Sequence, residues 1–236
     1  MTLVELLVVI AVIGVLAGIL IPTLGRGLAS ARRMHCVSNL RQLGVATQLY
    51  WGDNDGEAFR WKGGATNGGQ VYWFGWIQSG TEGARKFDPA LGPLHRYLAG
   101  RGVEVCPAFR YVDPALKLKA AGSSFGYGYN LNLAAPHPQP PVNARNLRDP
   151  ARTALFADSA QINTFQSPAS PARPMLEEFY YLSTTESTVH FRHDGVAVTV
   201  FADGHTANER PAPGSLDPRL PGQIIGRLRP EVLAAQ

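Results

Sequence analysis

The chain has 236 residues, of which 45% are hydrophobic and 17% are charged. This composition excludes a disordered chain, which would hold fewer apolar residues and a larger net charge. The formal net charge is +4, and the basic residues form no continuous run, so no nucleic-acid partner is expected. The first 24 residues contain a single charged side chain, that of Glu5. The chain is therefore expected to join a membrane-inserting segment to a soluble domain.

An uncharged run extends from Leu6 to Leu24. As a helix rising about 1.5 Å per residue it would be about 28 Å long, close to the hydrocarbon thickness of a bilayer. A secretory signal peptide is the alternative, but no basic region precedes the run, which exceeds a usual signal core, and no small-residue cleavage site follows. Arg26, Arg32 and Arg33 follow instead and would hold that end at the cytoplasmic or interfacial side.

Glu5 is the one carboxylate beside this run, and a charge inside a bilayer is costly enough to indicate a function. The nearest cation in the sequence is the α-amino group of Met1. We expect the Glu5 carboxylate to pair with the Met1 amine of a neighbouring copy, which would neutralise both charges. This expectation requires a processed chain that starts at Met1.

The sequence predicts one helix from about residue 2 to about residue 51. Residues 1–24 form its membrane-inserting half, and residues 25–51 carry an apolar stripe typical of a helix that packs on a domain. Gly14, Gly18 and Pro22 weaken the middle, because Pro costs about 3 kcal/mol in a helix interior and each Gly about 1. We expect a continuous or gently kinked helix that can lose hydrogen bonds over 14–27 in an assembly. The stripe consists of Leu24, Leu28, Ala31, Cys36, Leu40, Leu43, Thr47 and Tyr50.

Residues 52–236 are expected to form a small β-rich domain with long Gly- and Pro-rich loops, so the fold class is α+β. The aromatic residues around Trp61 and Trp76 would supply much of its core, since buried rings remove a large apolar area from water. The Pro-rich stretches at 135–141 and 167–174 are expected to be loops. Short strands are predicted at 71–77, 103–106 and 153–157, and 123–130 is predicted as a loop or short strand.

Two Asp-Gly pairs, Asp194-Gly195 and Asp203-Gly204, bracket alternating valines. An Asp-Gly pair between alternating apolar residues is a strong hairpin signal, so a three-stranded meander is predicted over 188–208. The Pro-rich residues 210–236 are expected to lie as an extended arm on the surface.

Residues at both ends of the chain resemble one family. MTLVELLVVIAVIGVLAGILIP, at 1–22, is similar to the mature N-terminus of type IV pilins and type II secretion pseudopilins. His193, followed after nine residues by Asp203-Gly204, resembles the H-X9-DG motif of a prepilin-type family. Residues 57–187 match loosely, and Met1 stands where the family usually has Phe. The other matching marks are Cys36-x-x-Asn39-Leu40-Arg41-Gln42-Leu43-Gly44, Tyr50-x-x-Asp53-Asn54-Asp55-Gly56 and Cys106-Pro107.

The resemblance implies a pilin-like fold, in which the long hydrophobic helix packs on a small antiparallel sheet. It implies that a prepilin peptidase removes a leader and that the new N-terminus at Met1 is methylated. The protein would then be a structural subunit, held in the inner membrane until assembly machinery packs it into a helical homopolymer. That polymer would be an extracellular pilus, or fimbria, or a periplasmic secretion pseudopilus. The alternative is a minor tip subunit whose aromatic loops bind a ligand.

His190, His193, Asp194, Asp203 and His205 are candidate metal ligands or catalytic groups. The two ends of a strand over 196–202 would lie roughly 20 Å apart, at about 3.3 Å per residue, which would place His193 and Asp203 at opposite turns. The ligands of one zinc ion lie about 2 Å from it, so turn formation with a hydrogen-bonding His193 is the favoured interpretation. The sequence also lacks the phosphate-binding, nucleophile-elbow and HExxH motifs, so no enzyme is expected, with a membrane-tethered enzyme as a further alternative.

Two other sets of residues offer weaker candidate sites. Asp53 and Asp55 resemble the start of a calcium loop, but the later bidentate Glu is missing, so a helix-ending turn is favoured over calcium.

Cys36 and Cys106 are the only cysteines, and a bridge between them could contribute up to roughly 4 kcal/mol if the domain lies outside the cytoplasm. The alternative is two buried thiols that never meet. Two cysteines without histidines are too few for a structural zinc site.

Overall fold

The computed structural model describes residues 2–123, 125–134 and 140–234. Its first element is α1, Leu3–Asp53, a single α-helix of 51 residues that runs through Pro22 without interruption. The predicted continuous helix is thus confirmed. Near Pro22, which has no N–H to donate, the Thr23 hydroxyl donates to the carbonyl oxygens of Ile19 and Leu20, at 3.3 and 2.8 Å.

The two ends of α1 have different surroundings. Residues 3–32, which we call the apolar arm, are exposed throughout except for the half-buried Ala17. Cys36 is the first buried residue. The packed half of α1 therefore comprises residues 36–53, and the sequence placed its start too early, at residue 25. The buried side chains of this half recur at helical spacing: Cys36, Asn39, Leu40, Leu43, Gly44, Ala46, Thr47 and Trp51.

Residues 54–234, which we call the head, are built on a five-stranded sheet. Its strands are β6 (Tyr127–Asn130), β7 (Ala154–Asp158), β10 (Tyr181–Leu182), β12 (Ala197–Phe201) and β13 (Thr206–Glu209). The strand order is β10-β6-β7-β12-β13, and neighbouring strands are antiparallel except β10 and β6, which are parallel. The packed half of α1 lies against β12 and β7.

The central sheet is covered on both faces. Val198 and Val200 of β12 pack in the core shared with α1, whereas Ala197 and Phe201 pack with Leu228 and Leu233 near the C-terminus. The segment after residue 210 is therefore not an arm lying on the surface, as the sequence predicted. It covers the second face of the sheet and includes β14 (Ile225–Gly226) and α3 (Pro230–Leu233).

The predicted three-stranded meander is only partly correct. β12 and β13 form the expected antiparallel hairpin around Asp203-Gly204. The strand before them, β11 (Val189–His190), pairs with β14 instead, because the second edge of β12 is taken by β7. The Asp194-Gly195 pair still makes a tight turn, closed by a bridge between His193 and Val196.

Two smaller sheets and several short helices complete the described part of the head. The prediction at 153–157 matches β7, and β6 lies within 123–130. The stretch 71–77 is a hairpin that turns at Trp73 and Phe74 rather than one strand, and 103–106 is not a strand. The remaining strands are β1 (Lys62–Thr66), β2 (Gly69–Tyr72), β3 (Gly75–Gln78), β4 (Phe87–Asp88), β5 (Leu116–Lys117), β8 (Gln161–Asn163) and β9 (Met175–Glu177), and the short helices are α2 (Leu131–Ala134) and the 3-10 helices Pro89–Leu91, His95–Leu98 and Ala144–Asn146.

Candidate functional site

Four buried side chains from four separate segments meet beside the start of the packed half of α1. They are Cys36 of α1, Cys106 of the segment before β5, Asp158 at the end of β7, and His193 in the turn after β11. One sulfur, nitrogen or oxygen atom from each lies within 4.8 Å of the others. We call this group the Cys-Asp-His cluster.

Local structure explains how these residues reach one place. Cys36 lies on the buried stripe of α1, and Asp158 ends a strand whose five residues are all buried. His193 is held by the tight turn that follows it, in which Asp194 and Gly195 have φ angles of 55° and 79°. Such angles favour Gly and are tolerated by Asp. The turn at Asp194-Gly195 therefore helps to place the His193 side chain in the cluster.

The carboxylate of Asp158 links the cluster members. Its Oδ1 accepts a hydrogen bond from the Cys36 Sγ at 3.1 Å, and its Oδ2 accepts one from the backbone N–H of Val198 at 2.8 Å. The Nε2 of His193 lies 3.3 Å from Asp158 Oδ2 and 3.4 Å from the Cys106 Sγ. The Tyr127 hydroxyl lies 3.3 Å from the Cys36 Sγ.

A buried arginine provides the cationic charge next to this carboxylate. The Arg192 Nε lies 3.5 Å from Asp158 Oδ1, and the same guanidinium donates to the carbonyls of Gly126 and Ser159, at 2.7 and 3.0 Å. Burial by itself raises the pKa of Asp158, but Arg192 and His193 outweigh burial and lower it below its usual value. Asp158 is therefore an anion inside the head.

The thiols and the imidazole also have altered proton affinities. Burial raises the pKa of the Cys36 thiol, whereas hydrogen bonding from Cys36 and His193 lowers that of Cys106. Burial lowers the pKa of His193, but the Asp158 carboxylate and the Cys106 sulfur outweigh it and raise the value to about 9. Cys106 and His193 therefore resemble a thiolate–imidazolium pair. Two thiols, an imidazole and a carboxylate can bind a metal ion or, for the thiols alone, oxidise to a disulfide.

The predicted disulfide is not formed in the structure, where Cys36 and Cys106 are both free and buried. The alternative of two thiols that never meet is wrong as well, because both belong to the cluster. The sequence argument against zinc considered the cysteines apart from His193, and it missed Asp158 and Arg192 altogether. The available sequence signal for Asp158 was a carboxylate directly after the apolar residues 154–157.

The second half of the H-X9-DG motif, Asp203-Gly204, does not belong to the Cys-Asp-His cluster. Asp203 accepts hydrogen bonds from its neighbour His205, at 3.0 Å from the backbone N–H and 2.6 Å from Nδ1. Gly204 has a φ angle of 90°, and a Cβ there would lie 3.2 Å from the Gln48 side chain of α1. The Gln48 amide in turn donates to the carbonyl of Ala202 at 3.2 Å. His193 thus belongs to the cluster, whereas Asp203-Gly204 shapes the hairpin that docks on α1.

The candidate calcium residues form the turn that ends α1. The Asp53 carboxylate accepts a hydrogen bond from the Tyr97 hydroxyl at 2.8 Å and one from Arg96. Asp55 is exposed, has a φ angle of 54°, and lies 3.8 Å from Arg145. Among the described residues, neither carboxylate belongs to a group of three or more converging metal-ligating side chains.

At the other end of α1, Glu5 has a partner within its own chain. Its Oε2 accepts a hydrogen bond from the Thr2 backbone N–H at 2.6 Å, and the Thr2 Oγ1 accepts one from the Glu5 N–H at 3.3 Å. This is a capping box, which the Thr-x-x-Glu spacing could have revealed. Met1 lies outside the described residues, so the predicted Glu5–Met1 pairing stays a prediction.

The glycines that weaken the helix of the apolar arm have no neighbouring atoms where a side chain would project. A Cβ added at Gly14 or Gly18 would meet nothing within 4 Å, and the same holds for Gly25 and Gly27. Packing within the single chain therefore does not require these glycines. The 18-residue window of highest hydropathy in α1 averages 3.0, which is enough to cross a membrane, although a signal sequence meets the same criterion.

The aromatic residues proposed as a binding surface are mostly internal. Trp73 and Phe74 are buried in the main core, and Trp61 stacks on Tyr180 with ring centroids 5.3 Å apart. The Trp76 indole N–H donates to the Thr66 carbonyl at 2.8 Å. These rings therefore hold the head together.

Comparisons with protein-family models, with curated proteins and with solved structures found no match for this chain. The pilin resemblance therefore rests on the residues quoted for it.

Proposed function

We propose that this protein is a structural subunit that inserts its apolar arm into a membrane and then polymerises through that arm into a pilus-like filament. The observation that carries the proposal is the apolar arm itself. Its large hydrophobic residues are about half exposed or more, as at Leu3, Val8, Ile13 and Ile21. A continuous exposed apolar surface of this size indicates contact with a membrane or with other protein chains.

The single acidic residue of the arm favours assembly over simple anchoring. An anchor needs only apolar length, and a carboxylate at its start is costly in a bilayer. The capping box with Thr2 uses one carboxylate oxygen for a backbone hydrogen bond but supplies no positive charge. A chain-terminal amine on a neighbouring copy would compensate the negative charge, which gives Glu5 a role that only a polymer supplies.

The arm and the head are joined by one continuous helix. α1 passes from the arm into the core without a break, and Leu40 and Leu43 are almost fully buried there. At the junction, the Arg33 Nε donates to the Asn208 side chain at 3.1 Å. Packing the arms of many copies would therefore also fix the positions of their heads. The mechanism is apolar packing and charge pairing, without chemical turnover.

The assembly test compares wild-type protein with Glu5→Gln. Glutamine keeps the hydrogen-bond acceptor that a capping box needs and removes the charge. We expect Glu5→Gln to enter the membrane fraction in normal amounts while the yield of shear-released filaments falls to background. The readouts are cell fractionation and negative-stain electron microscopy.

Two control variants separate charge from other effects. Thr2→Val removes the hydroxyl of the capping box but keeps the carboxylate, and it should assemble. Glu104→Ala removes an exposed carboxylate of the head, which lies 3.9 Å from Arg101, and it should assemble too. Normal filament yield from Glu5→Gln would refute the charge-pairing role.

A minor tip subunit that binds a ligand is the second candidate function. Its main support was the aromatic run near Trp61 and Trp76, and those rings now have internal partners. The structural subunit is therefore preferred. Quantitative mass spectrometry of sheared filaments distinguishes the two, because a major subunit forms most of the filament mass and a tip subunit only a trace.

A further inference from the structure

We propose that the Cys-Asp-His cluster is a structural zinc site that fastens α1 to the head. The ligands would be the thiolates of Cys36 and Cys106, a carboxylate oxygen of Asp158 and the Nε2 of His193. Two sulfurs, one nitrogen and one oxygen are donors that Zn²⁺ accepts in tetrahedral sites. The proposal does not depend on filament assembly, because none of the four residues lies in the apolar arm.

The spacing of the donor atoms fits a tetrahedral ion. Ligands that lie 2.0–2.3 Å from a tetrahedral zinc are about 3.3–3.8 Å from one another. In the structure, His193 Nε2 is 3.4 Å from Cys106 Sγ and 3.3 Å from an Asp158 oxygen. The Cys36 Sγ is 3.1 Å from the other Asp158 oxygen. All four donor atoms lie within 4.8 Å of one another, so side-chain shifts of up to about 1 Å would bring them to the tetrahedral spacing.

The charges around the cluster also balance with zinc bound. Two thiolates and the Asp158 carboxylate carry three negative charges, and Arg192 carries one positive charge beside them. A divalent cation with neutral His193 brings the sum to zero, which a buried site requires. Binding would release the Cys36 thiol proton and the His193 imidazolium proton to solvent, so affinity should rise with pH.

The surrounding contacts hold the ligands in place. The Val198 N–H donates a hydrogen bond to Asp158, Arg192 forms an ion pair with it, and the Tyr127 hydroxyl contacts the Cys36 sulfur. Contacts of this kind orient metal ligands and strengthen binding. All four ligands are buried and come from the protein, which is the arrangement of a structural zinc site rather than a catalytic one. Since Cys36 is the first buried residue of α1, the ion would lie where the arm meets the head.

The first experiment measures metal in the full chain, purified in detergent from cells grown with zinc. Inductively coupled plasma mass spectrometry should find about one zinc per chain. His193→Gln and Cys106→Ser should each lower zinc occupancy at least about tenfold, since even changes next to a metal ligand cost 10–100-fold in affinity. His205→Gln is the matched control, because His205 is exposed and bonded to Asp203, and it should keep its zinc.

The second experiment uses only the wild-type chain, so it does not depend on the folding of a variant. Protein stripped with a chelator under reducing conditions is titrated with Co²⁺. A thiolate-to-cobalt charge-transfer band in the near ultraviolet, with visible bands typical of tetrahedral cobalt, is expected, and Zn²⁺ should abolish both. Absence of zinc together with absence of these bands would overturn the proposal. Non-reducing peptide mapping that finds Cys36 joined to Cys106 in the native protein would overturn it equally.

Discussion

The apolar arm and the packed half of α1 share one continuous helical backbone but differ in what surrounds it. In the packed half, small residues allow close contact with the sheet, as where Gly44 faces Val200. In the arm, bulky residues such as Ile13 and Leu20 are mostly exposed, and the glycines face open space. The helix is continuous through both parts, although only residues from Cys36 onward are buried against the head. The packed half thus has its apolar surface covered by the head, whereas the arm leaves its apolar surface exposed.

The largest expected effect comes from truncating one leucine in each part of α1. Leu40→Ala removes a fully buried side chain and should lower the free energy of unfolding of the head by about 2–5 kcal/mol. Leu16→Ala makes the same change at an exposed position of the arm and should leave head stability unchanged. Denaturant unfolding in detergent, followed by tryptophan fluorescence, measures this because Trp51, Trp61, Trp73 and Trp76 all lie outside the arm. Equal losses from both variants would show that the arm packs on the head.

A pH dependence is expected in the head, where Glu178 is buried. Burial raises its pKa to about 8, although the backbone N–H groups of Phe125 and Gly126 and the charge of Arg192 oppose this. The Tyr111 hydroxyl also donates to its Oε1. A carboxyl group with a raised folded-state pKa binds its proton more tightly when folded. Its contribution to stability is therefore complete below about pH 4.5 and is lost as the pH rises through about 8.

Glu178→Gln isolates this effect. Glutamine keeps the side-chain oxygen that accepts from Phe125 and Gly126 at 2.9 Å and does not titrate. Between about pH 4.5 and 8, the wild-type free energy of unfolding should fall relative to the variant's by on the order of 1 kcal/mol per pH unit. Cys106 and His193 also titrate, with shifts of opposite direction, but they are common to both proteins. Parallel profiles for the two proteins would contradict the raised pKa.

The smallest expected effect on stability comes from replacing one glycine with alanine in each part of α1. At Gly44 the new Cβ would lie 2.8 Å from the Val200 side chain, so Gly44→Ala should destabilise the head by about 1 kcal/mol despite the gain in helix propensity. At Gly18 the space is open, so Gly18→Ala should strengthen the helix of the arm by up to about 1 kcal/mol. If assembly needs the 14–27 stretch to lose hydrogen bonds, Gly18→Ala should also lower filament yield. An unchanged yield would contradict that need.

The sequence predicted the parts of this fold that depend on local pattern. The apolar run and the spacing of Leu40, Leu43 and Thr47 predicted α1, and Asp203-Gly204 predicted the β12–β13 hairpin. Pairings between distant segments were not predictable, because short strands such as β11 and β14 carry no signal for their partners. The predicted position of the C-terminal segment was wrong for a similar reason. Its prolines suggested an exposed arm, whereas Leu228 and Leu233 are buried against the sheet.

The candidate site residues show the same difference between local sequence pattern and contacts made by distant segments. Glu5 stands out in the sequence because it is alone among apolar residues. The Cys-Asp-His cluster brings together residues 36, 106, 158 and 193, and their sequence separation hides it. The sequence grouped His193 with Asp203, both in a motif and as a candidate ligand, whereas the structure places Asp203 in the other turn of β12. The chain fold, rather than the motif spacing, supplies its partners.

Filament assembly is tested by electron microscopy of material sheared from cells that produce the wild-type chain, together with mass spectrometry of the N-terminal peptide. We predict filaments composed of this protein, with the apolar arms packed along the axis, the heads outside and a mature chain that starts at Met1. A chain recovered only as single molecules, or one that retains residues ahead of Met1 in its working form, would contradict the account.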